Sequence, residues 1–241
     1  MRVPDVNCTN RHSLLRDRPN HVASMSAVAQ RRGSQHPSFS LPHLIFGCVL
    51  ATAALWVLVG VELPLLLGAD AQWSARIQPV SWLLHLHAVC GVIALACAPL
   101  QFAVHLRRAF PRLHRAVGLC YVAAVVIASS AAPIVAASLC GPAMQLASSA
   151  QAGLWTITTL TAVRAIFAGD AVRHGWWMTR SFALTYTFVL GRLATDVLHL
   201  RLPAAAGGDA ALIWLLTIGA LIASDLLSPT AHSSYVGRVG S

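Results

Sequence analysis

The sequence predicts an all-α fold, a polytopic membrane helix bundle with six transmembrane helices. Three observations predict it. Hydrophobic residues make up 56% of the 241-residue chain, at a mean hydropathy of +0.65. Charged residues make up only 10%, against roughly 25% in ordinary soluble domains, too few to cover a surface that faces water. The apolar residues gather into runs at about 44–68, 80–106, 114–139, 143–167, 178–202 and 210–228. Each run is long enough to cross roughly 30 Å of hydrocarbon at about 1.5 Å per residue.

Residues 1–43 carry Arg2, Arg11, Arg16, Arg18, Arg31 and Arg32 among Ser, Asn, Pro and His, with no periodic apolar face. They read as a disordered basic cytoplasmic tail. The first apolar run starts too late for a cleaved signal peptide, and translation from Met1 or from Met25 fits equally. Residues 44–228 form the transmembrane domain. Its first run holds Glu62 and Pro64. Its second holds His85, His87, Pro99 and Gln101; Pro99 removes a helical hydrogen bond and predicts a kink. The Gln101 amide is placed to satisfy a freed carbonyl or a neighbouring helix. Run three is rich in small residues (Ala123, Ala124, Ser129, Ser130, Ala131, Ala132), which permit close helix approach. Cys140-Gly141-Pro142 has turn chemistry and makes runs three and four an antiparallel hairpin. Gly207 and Gly208 mark the last outer turn, and residues 229–241 form a short cytoplasmic tail.

The formal net charge is +9, and every cation among the Lys and Arg is Arg. The cations sit in the N-terminal tail and in short loops, where membrane topology puts them, so nucleic acid is not the partner they imply. Heavy loops alternate with light ones. The tail, the turn with Arg107, Arg108, Arg112 and Arg115, and the link with Arg164, Arg173 and Arg180 are heavy. The links with Arg76 and Arg201 are light, and the Gly-Pro turn has no cation. The positive-inside rule then puts both termini in the cytoplasm of a multi-pass protein of the cell (inner) membrane. Six Cys at positions 8, 48, 90, 97, 120 and 140 form no CxxC pair and read as small packing residues, not as a zinc or disulfide framework.

Ionisable groups inside a membrane are costly, by roughly 2.5–3.5 kcal/mol on insertion scales, and each needs a reason. Arg192 and Asp196 are four apart on run five, on one helix face and within salt-bridge reach. His199 extends the stripe toward the outer surface. The stripe reads either as a lined cavity, proton path or anion-holding Arg, or as a self-neutralised pair with His199 reaching outward. Glu62 and Asp225 are either proton-titrating carboxyls or interfacial acids reaching water.

The histidines allow a depth argument. On a helix descending from outside, His87 lies roughly 10 Å and His199 roughly 5 Å below the outer surface. His105, His114 and His174 cluster near the inner one. A His from each of two helices at similar depth is the geometry that clamps haem iron from both sides. His87 with His199 outside, and two of His105, His114 and His174 inside, would hold haem b. No CxxCH attachment motif is present, and the other reading is interfacial His that bind nothing.

Further residues carry a family likeness. They are His87 with Gly91, Pro99-x-Gln101-Phe102, Leu113-His114-Arg115 with Gly118 and Tyr121, then Trp155, Thr158 and Thr159. Gly169-Asp170, His174, Trp177-Met178, Arg180-Ser181 and Arg192 complete the set. From His87 to about Arg192 the chain resembles the predicted bacterial membrane proteins grouped as domain of unknown function 2306. It departs at Ala98, where that family often has Gly. The resemblance implies a membrane protein, names no activity, and highlights His87, His114, His174, Arg180 and Arg192. A looser likeness, in architecture and His placement only, is to transmembrane b-type cytochromes with a four-helix core.

Three function classes fit these residues. The first is a haem-binding, electron-transferring membrane protein. The second is a small proton-coupled transporter using Arg192, Asp196 and Glu62. The third is a non-enzymatic interaction protein whose inner-face cations, Arg115 and Arg180 among them, hold anionic lipid head groups or a partner. No nucleophile–base pair, phosphate-cradling Gly loop or HExxH motif appears.

Overall fold

A computed structural model of the protein describes residues 41–68, 70–203 and 207–226. The chain divides into two units, Met1–Cys48 and Val49–Ser241, and the second holds the helix bundle. The N-terminal tail before residue 41 and the C-terminal tail lie outside the described residues.

The described residues are mostly helical, with no strand among them. Helix α1 (Leu41–Val57) widens into a π turn at Leu58–Glu62 and closes at Leu63–Leu66. In the π turn the Leu63 N–H donates to Leu58 O, just before Pro64, which has no N–H to give. Asp70 then caps α2 (Ala71–Ile77), accepting from the N–H groups of Gln72 and Trp73 at 2.9 and 3.0 Å. This short helix lies in what reads from sequence as a plain link. A 3-10 turn, Gln78–Val80, leads into α3 (Ser81–Phe102). Pro99 lies inside α3, and the helix stops one turn later at Ala103, whose backbone is extended (φ −67°, ψ 102°). Helix α4 (Val104–Ala109) continues to Phe110, and Pro111 opens α5 (Pro111–Leu139) at a position where its missing N–H costs nothing.

Cys140-Gly141-Pro142 makes the tight turn that its chemistry predicts, into α6 (Pro142–Phe167). Gly169 (φ +77°) ends α6 in a Schellman arrangement: its N–H meets Ile166 O and the Asp170 N–H meets Ala165 O, both at 3.0 Å. Asp170 then accepts from Arg173 N at 2.9 Å and starts α7 (Ala171–Arg192). A second π turn, Leu193–Val197, follows. Helix α8 (Gly208–Leu226) comes last.

Helices α3, α5, α6 and α7 form a ring in which each touches the next and α3 also meets α7; α8 lies against α6 and α7. The core between them is built from small residues: Cys90, Ala94 and Ala98 on α3 meet Ala124, Val125 and Ala128 on α5, with Ala162 and Met178. Such residues let backbones approach closely where lipid removes the hydrophobic drive for packing. Val57 at the end of α1 and Leu58 in the π turn pack on Leu95, Tyr186 and Val189. Large apolar side chains point outward instead, among them Leu119 (72% exposed), Ile157, Phe167, Leu215 and Ile222. That is the surface of a protein solvated by lipid.

Three helical stretches are long and apolar enough to cross a membrane: Ala71–Phe102, Pro111–Leu139 and Gly208–Leu226. Cys48–Glu62 is apolar but shorter. Helices α6 and α7 fall short in composition, because they carry Thr, Ser, Gln and Arg side chains.

Candidate functional site

The antiparallel hairpins bring the start of α3, the end of α5, the start of α6, the end of α7 and the start of α8 to one end of the bundle. A cavity of about 580 Å³ opens there. Its ionisable lining comes from separate elements: Glu62 from the first π turn, His87 from α3, Arg192 and Asp196 from α7 and the second π turn, with Arg201 and Asp209 further out. Leu84, Val92, Leu95, Val135, Leu212 and Leu216 supply apolar wall. Both carboxylates that meet Arg192 sit in π turns, an irregularity frequent at functional sites.

The Arg192 Nε lies 2.5 Å from Glu62 Oε1, and its Nη1 lies 3.5 Å from Asp196 Oδ2. Sequence spacing predicts the second contact; the first and closer one joins residues 130 positions apart. The N–H does not point along that short contact, so the buried Glu62 Oε1 receives charge but no aligned hydrogen bond. The Asp196 Oδ1 accepts from the Thr195 hydroxyl at 3.0 Å. These side chains are partly shielded, 13% exposed for Glu62, 26% for Asp196 and 31% for Arg192.

The His87 Nδ1 stands 2.8 Å from Ala128 O. A carbonyl only accepts, so Nδ1 carries the hydrogen; in the neutral ring Nε2 then keeps a lone pair. His85, two residues earlier, has both ring nitrogens against carbonyls, Ser81 O at 2.5 Å and Leu66 O at 3.2 Å. It has no nitrogen left for a ligand.

His199 lies elsewhere. The helix stops at Val197, two residues before it, and His199 takes a left-handed backbone (φ 49°) that ends α7, exposed and outside the cavity lining. The depth estimate that pairs it with His87 assumes a helix through residue 202, and the chain leaves that helix. Among the described residues no group of three or more His, Cys, Asp or Glu converges as a metal site.

The opposite end collects Arg107, Arg108, Arg112, Arg115, Arg164, Arg173 and Arg180. Arg180 reaches Asp225 Oδ1 and Oδ2 at 2.6 and 2.8 Å, and its guanidinium lies 3.4 Å from the Trp176 ring centre. It thus ties α7 to α8. Asp225 stays 48% exposed. His174 Nδ1 donates to Ala162 O at 2.9 Å. His114 is half-buried beside Arg107 and His174, its Nδ1 without a partner. His105 is exposed and meets the Phe110 ring edge-on. Arg115 is exposed, its Nε donating to Pro111 O.

Between the two ends runs a buried hydroxyl network that the sequence reading does not single out as a unit. The Tyr121 hydroxyl, fully buried, meets Ser181 Oγ at 2.6 Å and Thr185 Oγ1 at 2.9 Å. Ser181 meets Thr159 at 2.7 Å, and Trp155 Nε1 donates to Thr185 at 3.0 Å. Gln151 Nε2 donates to the Thr187 hydroxyl. Inside a bilayer no water replaces such partners, so these contacts lock α5, α6 and α7 in register. The signal was present as polar residues at three- and four-residue spacing on α6 and α7. Gln101 Nε2 donates to His114 O at 3.2 Å, across Gly118, where a Cβ would stand 3.1 Å from Gln101 Oε1. Gln101, Gly118, Tyr121, Trp155, Thr159, Ser181, Arg180 and Arg192, residues behind the family likeness, all stand at ties between helices.

No curated protein and no solved structure matches the chain. The family model described as "Predicted membrane protein (DUF2306)" matches residues 84–228. The match takes in His87, Arg192 and Asp196 but begins after Glu62. Over that span of ring helices and α8, the chain belongs to the DUF2306 family of predicted membrane proteins.

Proposed function

We propose that this is a six-crossing protein of the cell inner membrane, with both termini in the cytoplasm, that carries a small solute through the cavity in exchange for or together with a proton at Glu62 and Asp196. The observation that carries the reading is convergence: two carboxylates, one guanidinium and a histidine with a bare Nε2, from three separate helices, face one cavity of about 580 Å³. That volume falls in the range of small-molecule sites. Six crossings fit the lengths. Helix α6, the longest polar-lined one, has 26 residues, roughly 39 Å at 1.5 Å per residue. The Arg-rich end opposite the cavity faces the cytoplasm in this reading. There the exposed Arg115 and its neighbours meet anionic lipid head groups, while Arg180 is already engaged by Asp225.

The test uses proteoliposomes holding a pH-sensitive dye, challenged with a panel of cationic, anionic and neutral solutes. At least one solute moves protons, and Asp196→Asn abolishes the movement. If no solute moves protons, the carrier reading falls. Tags on both ends, probed from each side of an intact cell, check the orientation; outside access to either one refutes it.

A second reading, haem b held by His87, is favoured by one observation, the Nδ1–H to carbonyl bond that frees and orients Nε2. A Soret band in the purified protein, lost in His87→Ala, supports it. A colourless protein after expression with haem supply removes it.

A further inference from the structure

We propose that the cavity binds an amphipathic monovalent organic cation, a lipophilic ammonium or phosphonium, with its charge beside Glu62 and Asp196 and its apolar body along the wall of α3 and α8. The proposal rests on the carrier reading and names its substrate class.

Charge decides the sign. Glu62 and Asp196 bring two negative charges to the cavity and Arg192 brings one positive charge. Further out, Arg201 and Asp209 oppose each other at 3.8 Å and cancel. In its neutral form His87 adds no donor, because its one ring hydrogen is committed to Ala128 O and Nε2 is an acceptor. One carboxylate is therefore in excess. An anionic ligand would add to that excess, and a neutral one would leave it standing among side chains only partly exposed to solvent, where opposite charges attract more strongly than in bulk water.

Geometry points the same way. One guanidinium is spread over two acids and satisfies neither in full. Glu62 Oε1 is close to Arg192 but receives no aligned hydrogen bond, and the Asp196 contact is long at 3.5 Å. Arg192 also lies over the Phe188 ring, 5.8 Å from its centre, and Trp155 lines the same space. Aromatic surface of this kind attracts a cation. Leu95, Leu212 and Leu216 give the ligand's body an apolar wall. The volume, about 580 Å³, is far more than a bare proton or metal ion needs.

A proton neutralises the same excess, so proton and organic cation compete for one charge vacancy. The other ionisable groups lining the cavity are Arg192, His87, Arg201 and Asp209, while His85 is held on the carbonyls of Ser81 and Leu66.

The experiment titrates the purified full-length protein in detergent micelles with tetraphenylphosphonium and, separately, with tetraphenylborate, which has the same shape and the opposite charge. The phosphonium is expected to bind at pH 8, and the borate not to bind. Glu62→Gln and Asp196→Asn should each weaken phosphonium binding by about tenfold or more, the loss of one charged contact. Arg164→Gln, on an exposed position at the far end, should leave it unchanged. Equal binding of both ions, or no binding of the phosphonium, overturns the proposal without any variant being needed. If the phosphonium fails to bind while an anionic or neutral solute moves protons in proteoliposomes, the cation class falls and the carrier reading stands. Phosphonium binding without any solute-driven proton movement upholds the site and removes the carrier.

Discussion

Replacing Arg192 by Gln should be far more damaging than replacing Glu62 by Gln, although the two residues share one contact. Arg192→Gln leaves Glu62 and Asp196 facing each other's charge with no cation between them. Breaking a fully buried ion pair from one side costs roughly 3–5 kcal/mol. Here Arg192 is 31% exposed and Glu62 13%, and the cavity admits solvent, so the loss reduces to about 2–3 kcal/mol. Glu62→Gln removes the 2.5 Å contact but also removes the excess negative charge, and Arg192 keeps Asp196. Its cost should be about 1 kcal/mol or less. The double variant should be less destabilised than the sum, with a coupling of roughly 1–2 kcal/mol. Thermal unfolding in detergent, followed by tryptophan fluorescence, reads this as a drop of roughly 2–4 °C per kcal/mol for a chain of this size. Equal losses for the two single variants, or strictly additive ones, would refute the reasoning that one guanidinium neutralises two acids.

Tyr121→Phe should cost about 1–2 kcal/mol, two interhelical hydrogen bonds, because Ser181 keeps Thr159 and Thr185 keeps Trp155. Tyr121→Ala should cost about 3–5 kcal/mol through the void it leaves, and equal effects in a melting comparison would show that the hydroxyl, not the ring, holds the site. Asp170→Ala should lose about 1 kcal/mol as an N-cap, measured by the same unfolding and by earlier proteolysis at the α6–α7 turn. Gly118→Val forces Gln101 off His114 O. The melting loss should shrink when Gln101→Ala is added, and an unchanged loss would mean that the crowding lies elsewhere. Arg180→Leu should shift the tryptophan emission, since Trp176 loses its stacked cation, while stability falls by less than about 1 kcal/mol because Asp225 is half exposed.

Much of the fold is legible residue by residue. Cys140-Gly141-Pro142 announces a hairpin because Gly and Pro cannot continue a helix there, and the hairpin forms. Pro99 predicts a kink in the second apolar run; the helix runs through it and stops one turn later. Gly169-Asp170 carries the full chemistry of one helix ending and the next beginning. The end of the fifth run is not legible. Its apolar character continues past residue 197, but a π turn and the left-handed backbone at His199 end the helix first, and a residue other than Gly rarely signals that conformation. The Arg192–Asp196 contact can be read from a spacing of four because it is local. The Arg192–Glu62 contact cannot, since nothing in the sequence between the two residues records which helix faces which.

Composition and hydropathy alone determine that the chain is helical and belongs in lipid, because backbone polar groups must be satisfied within each segment there. They also determine where the cations gather, through the alternation of Arg between the runs. Only the tertiary structure decides which polar groups meet. Burial of Glu62, His87, Arg192 and Asp196 around one cavity, and of Tyr121 with Ser181 and Thr185 beneath it, depends on how α1, α3, α5, α6 and α7 rotate against one another. That rotation is set by small-residue packing summed over whole helices, a quantity that no local stretch of sequence contains.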